Sequence, residues 1–404
     1  MYSIAAMARV VRRRAVFLTA SFAVATLGSA CAAVHRPTTT VPSLLQEAPR
    51  YAQRDRVTRD SIVERLVRRV IRRGDRTLDV LLLSGGGQNG AFGAGFLRGW
   101  RARTDQTMPT FDLVSGISTG ALQAPYALLG TGAAVDTLTA LYARAATSIA
   151  PTIDWWFWLR RTGGLVNTAR FDRTLAASVN GQFRDELRRA FADDRQIVFA
   201  TTDFDLGTGR LWSLGEELDS TAAGLVRVRS LLRAATAIPG IFPPVVIDGH
   251  VHADGGVVEN VMPVLTHDAY VELGRRLASK GVQDVTVRVW VVMNLWTHPE
   301  PRVISPSSRA QVSSRSTALL FYLHQSSTLA GLENLARAVS ADVPGMRMQV
   351  RVATLPASES TSPGADALFE RRFMQRLDSI GFVRAQRPTP WDTVIGAFAR
   401  PPFP

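Results

Sequence analysis

The stretch from Leu78 to Leu122 limits what this chain can fold into more than any other. Val80-Leu81-Leu82-Leu83 is an apolar run that ends in Ser84-Gly85-Gly86-Gly87-Gln88-Asn89-Gly90. A helix-compatible segment, Ala91 to Arg103, comes next, then a second apolar run, Phe111-Asp112-Leu113-Val114. That run ends in Ser115-Gly116-Ile117-Ser118-Thr119-Gly120 and opens another helical segment. The order is strand, glycine loop, helix, strand, sharp turn, helix. Beyond this unit, strand-like and helix-like segments alternate to the end of the chain. That alternation predicts an α/β architecture with helices on the faces of a mostly parallel sheet.

The spacing suits acyl transfer. Glycines on either side of Ile117-Ser118-Thr119 permit a tight strand-to-helix turn that carries the Ser118 hydroxyl on a strained tip. The helix that follows aims its first N–H groups at charge developing there. The tetrahedral oxyanion needs donors as well, commonly worth about 3–4 kcal/mol each. Gly85, Gly86 and Gly87, closing the neighbouring strand, offer unobstructed backbone N–H groups, with Gly86 and Gly87 the natural donors.

A serine needs a group to take its proton. Of the six histidines, His35 precedes the folded part, while His267, His298 and His324 have no supporting context. His250 and His252 lie in an alternating segment, Val245 to Ala253, that ends in Asp254-Gly255-Gly256. An α/β-hydrolase would carry a histidine before its oxyanion glycines; Ser84 holds that place here. Asp254 is the better base, because strand ends gather the sites of open α/β sheets and burial can raise a carboxyl into a useful range.

Three motifs in this order resemble the patatin-like phospholipases, a family of lipid acyl hydrolases with a Ser–Asp dyad. They are Gly85 to Gly90 for the oxyanion loop, Gly116-Ile117-Ser118-Thr119-Gly120 for the nucleophile and Asp254-Gly255-Gly256 for the base. The run from Ala237 to Pro244, then Asn260 and Pro263, also resembles what surrounds the family's aspartate. The resemblance covers about 77–263 and implies a three-layer α/β/α fold with Ser118 and Asp254 as the dyad. Asn89, Gly90, Gly116, Gly120, Gly255 and Gly256 would support it. Asn89 stands where the family usually has Arg or Lys. That substitution keeps the backbone donors but removes a cation, which weakens the expectation of a phospholipid head group. Residues 264–404 carry no motif of the family and read as a C-terminal extension of one 60–404 domain.

The N-terminus reads as an export signal over residues 1–30. Arg9 to Arg14 form a basic region, Ala15 to Leu27 an apolar one too short for a comfortable membrane span, and Gly28-Ser29-Ala30 a small-residue cleavage site. Cys31, the only cysteine, follows directly, as in a bacterial lipobox, although Gly28 stands where an aliphatic residue is usual. The alternatives are ordinary cleavage after Ala30 or Ala32 and an uncleaved anchor. Pro37, Pro42 and Pro49 suggest that residues 31–59 are a flexible tether. A basic amphipathic helix, Asp60 to Arg73, is expected to pack its apolar face on the body, with a membrane surface as the alternative.

An apolar fraction of 46% and a charged fraction of 20% describe a globular chain. The net charge of +13 is almost all arginine, with Lys280 the only lysine. The expected partners are a lipid substrate and a membrane surface. No basic stripe interleaved with aromatics argues for nucleic acid, and no motif demands a metal or cofactor. The densest aromatic run, Trp155-Trp156-Phe157-Trp158, reads as core or as a lipid-facing patch.

Overall fold

The computed structural model describes residues 36–157 and 161–398. Cys31, the segment before it and Trp158 lie outside the described residues.

In chain order the strands are β1 Thr77–Leu83, β2 Leu113–Gly116, β3 Thr152–Ile153, β4 Val166–Asn167 and β5 Gln196–Asp203. They continue with β6 Thr208–Ser213, β7 Val245–Ile247, β8 His250–Asp254, β9 Val285–Met293 and β10 Met346–Thr354. The first helices are α1 Val41–Arg73, α2 Gly90–Arg101, α3 Thr119–Leu129, α4 Gly132–Ser148, α5 Ala169–Ser178 and α6 Gly181–Ala192. The later ones are α7 Leu214–Glu217, α8 Ala222–Ala235, α9 His267–Ser279, α10 Arg309–Asp342, α11 Arg371–Ala385 and α12 Val394–Phe398.

The main sheet runs β10-β9-β1-β2-β5-β8-β7, with β6 also on β5. The first five strands of that path are parallel. β6, β7 and β8 join antiparallel. β1 is buried on both faces, which explains its unbroken apolar run. Leu81 and Leu83 pack on one side with Phe92, Phe96 and Ala121. Leu78, Val80 and Leu82 pack on the other with Ile62, Leu66 and Leu273. Helices therefore cover both faces, and the architecture is the expected patatin-like three-layer α/β/α sandwich.

β5 decides where the site lies. β6 occupies one of its edges along Val198 to Asp203. The other edge is shared. β2 pairs with its first half, Gly116 opposite Phe199, and β8 with its second half, Asp254 opposite Thr201. One edge of one strand can hold only one partner at each point, so β2 and β8 meet end to end. Their last residues lie two positions apart along β5.

Three expectations need correction. Residues 41–59 are not a flexible tether, since α1 begins at Val41. Thr40 and Ser43 form a reciprocal capping box, and Pro42 sits in the first turn, where its missing N–H costs nothing. Pro49 lies on the exposed side, where water can take the carbonyl it leaves free. Tertiary contacts then hold the segment down. The Tyr51 ring packs edge-on against His250 at 4.8 Å, Arg210 lies 3.9 Å over Tyr51, and Arg54 pairs with Glu217 at 2.9 Å. Second, Val245 to Ala253 is two strands, because Asp248 and Gly249, with φ of 52° and 87°, make a two-residue hairpin turn. Third, Ala365 to Ile380 reads in the sequence as a closing helix, but α11 begins only at Arg371, which leaves residues 362–370 as a loop beside the site.

Candidate active site

β2 ends at Gly116, and the chain turns through Ile117 to Ser118, whose φ of 52° and ψ of −120° lie outside the ordinary regions. Two close approaches enforce the turn. A Cβ at Gly116 would overlap the Gly120 carbonyl, and one at Gly120 would overlap the Leu83 carbonyl at the end of β1. Ser118 then caps the N-terminus of α3, with its side chain nearly buried.

Asp254 arrives from the opposite direction at the end of β8. The Ser118 Oγ–H donates to Asp254 Oδ2 at 2.6 Å, and the Gly256 N–H donates to Asp254 Oδ1 at 2.8 Å. Thr202 Oγ1 holds the Asp254 carbonyl at 2.8 Å. Burial pushes the Asp254 carboxyl up to about 6, against the pull of the bonds from Ser118 and Gly256. The two residues singled out in the sequence are thus brought together.

The glycine loop lies beside them. Gly85 is not a free donor as expected, because its N–H is committed to the Asn260 carbonyl at 3.1 Å. It serves by close approach instead, since a Cβ there would meet Ser118 Cβ and overlap the Asn260 side chain. Gly86 and Gly87, both at positive φ, carry no such bond among the described residues. Asn89 is buried and its Oδ1 finds no partner among the described residues. Gly90 opens α2 against the Tyr142 hydroxyl, leaving no room for a side chain. Gly255 packs on the Ala200 carbonyl in the same way.

Asn294 was missed. At the end of β9, its Nδ2 donates to the Ser84 carbonyl at 2.9 Å and its Oδ1 accepts the Gly93 N–H at 3.0 Å. It pins the glycine loop from the far side. An asparagine closing the apolar run Val291-Val292-Met293 is visible in the sequence, but nothing near it names its partners on the glycine loop.

Neither histidine of β8 touches Ser118. Burial holds His252 down at about 4, so the ring that faces Thr201 Oγ1 at 2.9 Å is neutral. Burial also opposes charge on His250, but Glu47 and Asp203 outweigh it and raise its pKa. Asp203, Asp205 and His250 lie close enough to hold a cation. Their polar atoms are already engaged, His250 by Glu47 and Asp203, and Asp205 by Arg36 and the Val251 N–H. The cluster is better described as the latch that holds the start of α1.

Ser118 opens onto an apolar cavity of about 970 Å³, counted out to its mouth. Leu122, Tyr126, Leu175, Leu232 and Phe242 form much of its wall. Thr174 and Thr236 also line it, with their hydroxyls donating to backbone carbonyls. Among the described residues, no Asp, Glu, Lys or Arg lines it.

A buried serine–aspartate pair, a glycine loop and an apolar cavity come together at one sheet edge. Residues 81–266 match the family described as patatin-like phospholipase. Through these residues, just under half of its length, the chain is similar to that family and carries a patatin-like domain. Among solved structures, VipD from Legionella pneumophila is similar at 13% identity and a TM-score of 0.32, over 76% of this chain and 66% of VipD. The chain thus spans just under two thirds of that protein. No curated protein sequence matches.

The patatin-like domain draws on chain outside the matched residues. β9 supplies Asn294, and Leu368 and Phe369 from the C-terminal extension line the cavity. Trp155, Trp156 and Phe157, the described part of the aromatic run beyond α4, are not core. Trp155 is 78% exposed, with Trp156, Phe157, Ile153 and Leu165 exposed around it. It sits on the β3–β4 hairpin, which is tied to the cavity wall because the Leu165 N–H donates to the Ile241 carbonyl at 2.8 Å, next to Phe242.

Proposed function

We propose that this chain is a serine lipid acyl hydrolase with Ser118 as nucleophile and Asp254 as base. The observation that carries this reading is the 2.6 Å bond to a buried Asp254 carboxylate from the Oγ–H of Ser118, which itself lines an apolar cavity. Ser118 Oγ attacks the ester carbonyl while its proton passes to Asp254 Oδ2. The N–H groups of Gly86 and Gly87, helped by the start of α3, hold the tetrahedral oxyanion. As that intermediate collapses, Asp254 returns the proton to the leaving alcohol, leaving an acyl-Ser118 ester. Water then attacks the acyl-enzyme with Asp254 again as base, releasing a fatty acid and restoring the Ser118 hydroxyl.

The substrate class follows from the cavity. Its apolar wall suits an acyl chain, with the alcohol part of the ester left outside. Asn89 in place of a cation favours a second reading, hydrolysis of small or neutral esters rather than phospholipids. Incubating residues 36–404 and the Ser118→Ala variant with a mixed bacterial lipid extract separates the two. Fatty-acid release by the wild type alone supports the first reading, and the species consumed identify the head group. Equal release by both proteins would refute the role of Ser118. Reaction with a fluorophosphonate but no lipid release would favour the second.

The membrane is the proposed partner surface, reached through the exposed aromatic hairpin. Lipidation of Cys31 after export would place the body close to it. Because Arg36 is already paired with Asp205, only about five residues separate the anchor from the body, a reach of ~18 Å. Metabolic labelling with a fatty acid tests this; label retained in Cys31→Ser would exclude it.

A further inference from the structure

We infer that Gln88 and the loop 364–370 act together to determine which acyl chains the cavity accepts. The inference rests on reading the cavity as the acyl site. Gln88 is buried in the single turn Gly87–Asn89, one residue from a proposed oxyanion donor. Its side chain spans to the C-terminal extension. Nε2 donates to the Gly364 carbonyl at 2.9 Å and to the Ala365 carbonyl at 3.3 Å, and Oε1 accepts the Glu370 N–H at 2.9 Å. One amide therefore closes both ends of a seven-residue loop. Leu368 and Phe369, directly before Glu370, line the cavity that contains Gly87 and Ser118.

Two further observations show that the loop is held rather than merely placed. Phe369 has a φ of 60°, an unfavourable conformation for a bulky side chain that persists only where its surroundings impose it. The far end is fixed as well. Glu370 caps α11 by accepting the Phe373 N–H, and α11 lies so close to α2 that a Cβ at Gly95 or Gly381 would overlap the opposite backbone. α2 begins directly after the Gln88 turn. The oxyanion loop and the cavity mouth are thus parts of one braced unit. A chain that displaces Phe369 must pull on Gln88, and so on Gly87. Chain-length preference is set by the two extension residues, and Gln88 is the positioning residue that transmits the fit to the oxyanion loop.

The test is binding, so that it does not depend on turnover. In the Ser118→Ala background, saturated fatty acids from about four to about sixteen carbons compete with dansyl-labelled undecanoic acid; each buried methylene should tighten binding by roughly fourfold until the cavity is filled. Glycine suits the backbone at 369, so Phe369→Gly removes the ring without adding strain. It should weaken medium chains by about tenfold and move the plateau to longer ones. Gln88→Ala, or Gln88→Glu if the alanine variant does not fold, should flatten the dependence on length. Length profiles of Phe369→Gly that superimpose on the parent would overturn the inference. So would an equal loss at every length in the Gln88 variants, which is what a purely structural role predicts. Shifted profiles together with a wild type that releases no fatty acid would leave this inference standing and remove the hydrolase reading.

Discussion

At the scale of single residues, Asp254 carries a conflict between stability and chemistry. Its carboxyl is raised to about 6 chiefly by burial, so at neutral pH the folded protein holds a charge that the unfolded chain would solvate better. Below the ordinary carboxyl range both states are protonated and the penalty vanishes. It grows as pH rises and is complete above about 6, where it amounts to about 3 kcal/mol. Asp254→Asn should therefore abolish ester turnover while raising the melting temperature at pH 8, with the gain shrinking toward pH 4. A variant no more stable than the wild type at pH 8 would contradict the burial argument. In the wild type, kcat/KM should rise through pH 6 to a plateau as the base ionises. Glu259, also raised by burial, to about 7, supplies the control. Glu259→Gln should leave that rise in place. If the rise disappears with Glu259, the profile does not belong to Asp254. Both residues of the proposed dyad, Ser118 and Asp254, were readable in the sequence, because each sits in a glycine pattern that a close approach enforces. Asn294 and Gln88 were not, because their partners lie 210 and 276 residues away in the chain.

At the scale of elements, the site exists because β2 and β8 abut on one edge of β5. The βαβ unit that delivers Ser118 could be read locally, since its apolar runs, glycine turns and helix lengths all agree. The approach of Asp254 could not be read that way. Asp248-Gly249 is a strong hairpin signal, yet the alternation across it continues as though the strand were single, and nothing local says that the second strand runs antiparallel to β5. The start of α1 misled for a related reason. Its prolines suggest a tether, whereas distant contacts with β6 and β8 hold it as helix. Farther along α1, Arg69 donates to Asp112 Oδ1 at 2.9 Å, and Arg73 binds the same carboxylate at 2.8 Å. Asp112 is fully buried and also accepts the Asp79 N–H, so these arginines fix α1 beneath β1 and β2. Arg69→Ala leaves that charge half-compensated and should cost about 2–4 kcal/mol in urea unfolding. Arg69→Met, which keeps the volume, should cost no less, because the loss lies in the charge. A methionine variant as stable as the wild type would show that Arg73 alone suffices.

At the scale of the whole molecule, the proposed membrane contact rests on one exposed aromatic hairpin with a cation beside it. The chain carries a net charge of +13, and among its described residues no helix is long and apolar enough to cross a membrane. What it presents instead is the β3–β4 hairpin, with Trp155 and Trp156 exposed and Arg161 exposed beside them. Indole rings favour the boundary between head groups and acyl chains, and cations add attraction to anionic lipid that salt screens. Since the hairpin is tied to the segment that supplies Phe242 to the cavity wall, docking through it would bring the cavity to the lipid surface. Trp155→Ser/Trp156→Ser should therefore weaken binding to vesicles of phosphatidylglycerol and phosphatidylethanolamine by about tenfold or more. Hydrolysis of a short soluble ester should be unchanged, because neither ring lines the cavity. Raising salt should weaken wild type and variant by the same factor, since the arginine remains in both. If the variant binds vesicles as tightly as the wild type, the hairpin is not the docking surface. If it loses soluble-ester activity in proportion, the rings support the cavity rather than the membrane contact.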